Sequence, residues 1–118
     1  MENKPITIEL GGREYELVLS TLATKHIAEK YGGLSKMGKA LQTTKGNDLT
    51  EILWLLAELI NGGIVRTNLL TGTKKPTVTV EELEAITTPG DLAQLKDKIP
   101  EVIVRDTGRT VKVETPKN

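Results

Sequence analysis

Four groups of residues have types and spacings that chemistry can use. Asp106-Thr107-Gly108 is the kind of turn in which two aspartates, one from each copy, share a proton and activate water. A homodimer would have to supply the second copy. Arg105 and Arg109 flank the turn, where small or apolar neighbours belong. A hairpin turn is the plainer reading. His26, the single histidine, can act as a general base, but no Ser or Asp partner is set by spacing. A partly buried helix residue is its simpler role. Gly38-Lys39 is followed by Ala40, whereas a phosphate loop needs Ser or Thr after the lysine. Glu81, Glu82 and Glu84 lack the alternating carboxylates of a calcium loop and suit the first turns of a helix. No catalytic constellation results, and the chain is expected to be a non-enzyme without cofactor or metal.

Composition narrows the field further. The chain of 118 residues suits one domain. Its 16 basic and 16 acidic residues cancel, which disfavours a duplex nucleic-acid groove and an anionic membrane surface. There is no Cys and no Phe, so the core must rest on Leu, Ile, Val and Ala, without disulfides. The opening residues carry no apolar stretch of signal-peptide length.

The elements follow from periodicity and punctuation. Ile6, Ile8 and Leu10 alternate with Thr7 and Glu9, and Tyr15, Leu17 and Leu19 with Glu14, Glu16 and Val18, on either side of Gly11-Gly12. This predicts a β-hairpin. Ser20 or Thr21 caps a helix through Tyr31, ended by Gly32-Gly33. A short helix is expected over residues 35–41. Asp48 with Glu51 forms a capping box for the most apolar helix, expected to stop at Gly62-Gly63. Residues 64–76 read as an extended segment and loop. Thr79 with Glu82 caps a helix through Ile86, and Thr88-Pro89 starts another, limited by Pro100. Val102 and Val104, then Val111 and Val113, predict a second hairpin about the Asp106 turn. The expected fold is α+β: an N-terminal hairpin and a bundle of four to five short helices over residues 1–100, then a C-terminal extension, 101–118, as a hairpin or tail.

The helix beginning at Leu49 holds only Thr50, Glu51 and Glu58 as polar residues before Ile60. It is far shorter than the roughly 20 apolar residues a membrane span requires. A helix apolar nearly all round is either enclosed or reserved for a partner. Leu53, Leu56 and Ile60 form one stripe and are assigned to the core. Trp54 and Leu55 lie off it and are the candidates for partner contact or self-association. Tyr31 and Met37 extend that patch.

The order of elements resembles the small tail assembly chaperones of long-tailed bacteriophages and the related tail proteins of gene transfer agents. The resemblance covers residues 5–99. It rests on the Leu-rich strand entering a helix at 17–22, Tyr31-Gly32-Gly33-Leu34, the Trp-containing apolar helix at 52–60, and the Thr-capped helix at 79–86. It implies a non-catalytic protein of the bacterial host cytoplasm. Its client would be the tape measure protein, a long helical chain kept soluble until tail tube subunits assemble around it. The alternative is a permanent virion part, such as a head–tail connector or tail completion protein, which would form a ring. An enzyme or nucleic-acid-binding regulator is the third class; its only support is the set Lys25, Lys30, Lys36 and Lys39, interleaved with Glu29.

Overall fold

The computed structural model describes residues 5–43 and 49–108. Strands β1 (Thr7–Leu10) and β2 (Arg13–Glu16) pair antiparallel, with Leu10 opposite Arg13. Gly11 and Gly12 turn between them at φ of 57° and 80°. Both values lie in the left-handed region that glycine enters without a Cβ penalty and that matches the twist of a two-residue hairpin. Ile8 and Leu10 face the core, and the buried set continues through Leu17 and Leu19 into the connection that follows.

Helix α1 (Thr21–Tyr31) starts where Ser20 Oγ accepts the Ala23 N–H at 3.0 Å. It ends on left-handed Gly32. Helix α2 (Leu34–Thr43) buries Leu34 and Met37. The Asp48 cap expected for the next helix lies outside the described residues.

Helix α3 (Leu49–Thr71) is the axis of the molecule, and it corrects one expectation. It does not stop at Gly62-Gly63 but runs through both glycines to Thr71. Glycine there serves close approach rather than termination. The connection from β2 to α1 crosses α3 backbone to backbone, with the Val18 N–H donating to Leu59 O at 3.0 Å. A Cβ on Gly62 would stand 2.4 Å from Val18 O, and one on Gly63 would stand 3.0 Å from Glu16 O. The helix ends instead at Gly72, φ 78°, whose N–H donates to Asn68 O.

From Gly72 the chain runs back along α3 without regular structure to Thr79. Two asparagines, two helical turns apart, hold this strap. Asn68 Nδ2 donates to Lys75 O at 2.9 Å and its Oδ1 accepts the Lys75 N–H at 3.1 Å. Asn61 repeats the arrangement on Val78, at 2.9 and 2.8 Å. Each amide matches both backbone polar groups of one residue, so backbone without secondary structure stays satisfied.

Thr79 and Glu82 form the expected capping box of α4 (Val80–Ile86). The helix expected from Thr88 is divided. Thr88 and Asp91 cap the single turn α5 (Pro89–Leu92), and α6 (Leu95–Thr107) follows after Ala93-Gln94. Pro100 sits inside α6 rather than limiting it.

Here lies the second correction. Residues 101–107 are helix, not the first strand of a hairpin. Leu95, Ile99, Val102 and Ile103 are all buried, a helical stripe at four-, three- and one-residue steps. Burying such side chains contributes about 1.5–3 kcal/mol each, which outweighs the roughly 3 kcal/mol of an interior proline. Val104, needed inside by the strand reading, is exposed. The second strand expected at Val111 and Val113 lies outside the described residues. The fold is α+β: one hairpin followed by helices α1 to α6 around a core centred on α3.

Candidate functional site

Helices α1 and α3 lie antiparallel. Tyr31 OH donates to Glu51 Oε1, Lys30 Nζ stands 3.6 Å from the same oxygen, and His26 Nδ1 pairs with Glu58 Oε1 at 2.8 Å. Ser20 marks the level of Gly62: its Oγ is 3.3 Å from where a Gly62 Cβ would be. There α1 begins, while α3 continues to Thr71. Val65, Arg66 and Leu69 therefore line a groove with Leu22 and Ala23 of α1 that no helix of the described chain fills. Its volume is about 860 Å³. Leu69 is 80% exposed, Leu70 beside it 67% and Leu22 51%. Leu22 and Leu69 both line the groove, and exposed apolar side chains gathered around a groove form a candidate contact surface.

The far wall of the groove is a polar clamp. Arg105 Nε donates to Asp106 Oδ1 at 2.7 Å, and an Arg105 terminal nitrogen donates to Leu17 O at 2.8 Å and to Asp106 Oδ2 at 2.9 Å. Asp106 Oδ2 also accepts the Leu19 N–H at 2.8 Å. The end of α6 is thus fastened to the connection between β2 and α1. Hydrogen bonding to Asp106 raises the Arg105 pKa, against the lowering effect of burial. Asp106 lies in the last turn of α6 and accepts these bonds there, rather than sitting in the hairpin turn expected from the sequence.

The four sequence-nominated contact residues separate into two pairs. Leu55 and Met37 are fully enclosed, at 1% and 0% exposure. Neither can touch a partner in this conformation, which corrects their assignment to an exposed patch. For Leu55 the cause is simple: α3 packs against α1, β2 and α4, so positions off the Leu53, Leu56, Ile60 stripe are enclosed as well. Trp54 and Tyr31 are half-buried and come together, edge to face, with centroids 5.9 Å apart. Lys30 Nζ lies 5.0 Å from the Trp54 ring centre and 5.6 Å from that of Tyr31. This cluster joins α1 to α3, its aromatic faces already occupied by the chain's own cation.

Sequence reasoning missed Leu22, Val65 and Leu69. The signal was present in the Asn68-Leu69-Leu70-Thr71 run, but reading Gly62-Gly63 as a helix end removed the helical phase that sets Leu69 beside Val65. The pairing of His26 with Glu58 was equally hidden, since its partner is 32 residues away.

A second groove, about 800 Å³, lies between β2, α3 and the strap, with Tyr15, Ile64 and Val78 in its wall. Among the described residues no three His, Asp or Glu side chains gather as a metal site requires, and no buried side-chain polar atom lacks a partner. No helix of the described residues is long and apolar enough to cross a membrane. Comparison with protein-family models, with curated proteins and with solved structures returns no match.

Proposed function

We propose that this chain is a non-catalytic binding protein of the tail assembly chaperone kind, which holds a tape measure protein soluble in the bacterial host cytoplasm during tail morphogenesis. One observation carries the reading: the second half of α3 leaves Leu69 and Leu70 exposed, and Leu69 lines, together with Leu22, a groove of about 860 Å³. A carrier of an aggregation-prone helical client needs such a surface, because the client's apolar stripe must be covered until its assembly partner arrives. Each leucine buried against the client contributes about 1.5–3 kcal/mol. Balanced charge on the chain suits a protein that holds protein rather than nucleic acid. Tail tube subunits are the second partner in this reading, arriving as the client is handed over.

Co-expression with a tape measure protein, a long helical chain, tests it. The expected result is co-purification, with rescue of an otherwise insoluble client. A stable ring with no affinity for that client would overturn the reading in favour of a head–tail connector or tail completion protein.

A further inference from the structure

We propose that Asn61 is a modification site: its side-chain amide is lost by deamidation in any chain whose α3 opens there, and the product cannot restore the strap. The inference is independent of the client reading above. Asn61-Gly62 is the sole Asn-Gly pair in the sequence, and the fold requires both residues. Asn61 holds the strap by pairing with both backbone groups of Val78, at 2.9 and 2.8 Å. Gly62 lets the β2–α1 connection cross, since a Cβ there would stand 2.4 Å from Val18 O. Asparagine is chemically labile, and most so where glycine follows, because no Cβ shields the next peptide nitrogen. The chain therefore carries a reactive pair where neither residue is replaced without losing a contact of the fold.

In the folded chain the reacting atoms are held apart. The Gly62 N–H is donated along the α3 ladder. The Cα–Cβ bond of Asn61 tilts toward the helix N-terminus, away from that nitrogen, and the Val78 clamp fixes the amide itself. Once the helix opens and the amide is released, the Gly62 nitrogen gives its proton to solvent base and attacks Asn61 Cγ. The new C–N bond closes a cyclic imide as the Cγ–Nδ2 bond breaks. The amide nitrogen leaves as ammonia, taking a proton from water. Water then opens the imide at either carbonyl, giving aspartate or isoaspartate. Aspartate still accepts the Val78 N–H, but its second oxygen faces Val78 O, where Nδ2 had donated. A carboxylate has no proton to place between those oxygens. Isoaspartate lengthens the α3 backbone by a carbon beside Gly62, where Val18 O already excludes a Cβ. Asn68 is an internal control. It clamps Lys75 in the same way, at 2.9 and 3.1 Å, but Leu69 follows it.

Peptide mapping by mass spectrometry tests the proposal on the full chain, held in warm, mildly alkaline buffer with and without guanidinium chloride. Asn61 is expected to deamidate at least about tenfold faster in the denaturant, because the folded chain reacts only through opening. In the denaturant Asn61 should be modified well ahead of Asn68, and G62A should remove that lead. N61D carries the aspartate product from the start. It should speed hydrogen exchange across residues 75–79 at least about fivefold and lower the denaturation midpoint. Equal rates at Asn61 in the folded and unfolded chain would overturn the inference. So would equal rates at Asn61 and Asn68 in the denaturant, because glycine would then not select the site. An N61D chain with the parent's exchange and midpoint would show that the product does restore the strap. The rate comparisons at Asn61 and Asn68 use the parent chain and hold whether or not N61D folds.

Discussion

The two halves of α3 differ in apolar content, nine side chains in residues 49–60 against four in residues 61–71, and they differ as sharply in surroundings. In residues 49–60, Leu53, Leu55, Leu56, Leu59 and Ile60 are each at most 3% exposed. In residues 61–71, Leu69 and Leu70 are at least 67% exposed. Along the first half runs α1, through Tyr31 with Glu51 and His26 with Glu58. The second is crossed at Gly62-Gly63 by the β2–α1 connection, meets β2 and α4 on one side and is strapped there by residues 72–79, and it is open at Leu69 and Leu70. A leucine's type does not say which half it belongs to; what the neighbouring chain reaches does. The enclosed half is a core element, and the open half is a surface that a partner can complete.

Mutations can break this contrast, starting with the strongest. Leu56→Ala, in the enclosed half, should destabilise the fold by about 2–5 kcal/mol through lost burial and a cavity, measured by urea denaturation. Gly62→Ala comes next. Alanine in place of glycine within a helix normally gains about 1 kcal/mol. Here the new methyl group meets Val18 O at 2.4 Å, backbone that cannot rotate away. A net loss of about 1–3 kcal/mol is expected, and a gain would show that the connection does not lie against α3. Asn61→Ala should cost about 1–3 kcal/mol by leaving both polar groups of Val78 without their partner. Faster hydrogen exchange across residues 75–79 would report that loosening. At the small end, Leu69→Asp should change stability by less than about 0.5 kcal/mol, since the side chain already faces solvent.

Local punctuation made much of the fold legible. Gly11-Gly12 specified the hairpin turn, Ser20 and Gly32 bounded α1, and the Thr79–Glu82 box placed α4. All three signals act within a few residues of where they are read. The misreadings have the opposite character. Gly62-Gly63 looks like a helix end, but its glycines answer to Val18 and Glu16, contacts made only in the folded chain. Val102 and Val104 alternate over too short a run to distinguish strand from helix, and the deciding residues, Leu95 and Ile99, lie behind a proline. The groove was illegible for the same reason. Its leucines come from α1 and from a stretch of α3 that lies past the glycines, and its charge pattern depends on Glu58 finding His26 and Asp106 finding Arg105. Trp54 was nominated because an aromatic off the main stripe reads as an anchor, yet its edge-to-face contact with Tyr31 and the cation above it arise from a helix distant in sequence.

One paired measurement tests the division of α3 most directly: capture of the co-expressed long helical client by Leu69→Asp and Trp54→Ala, each with its denaturation midpoint. Trp54→Ala removes a half-buried ring and should destabilise the fold by about 2 kcal/mol, roughly half the loss for a fully buried one, while the folded fraction still captures client. Leu69→Asp should keep the parent midpoint and lose the client. A Leu69→Asp chain that captures client as well as the parent does would contradict the assignment of the open half of α3 as the binding surface.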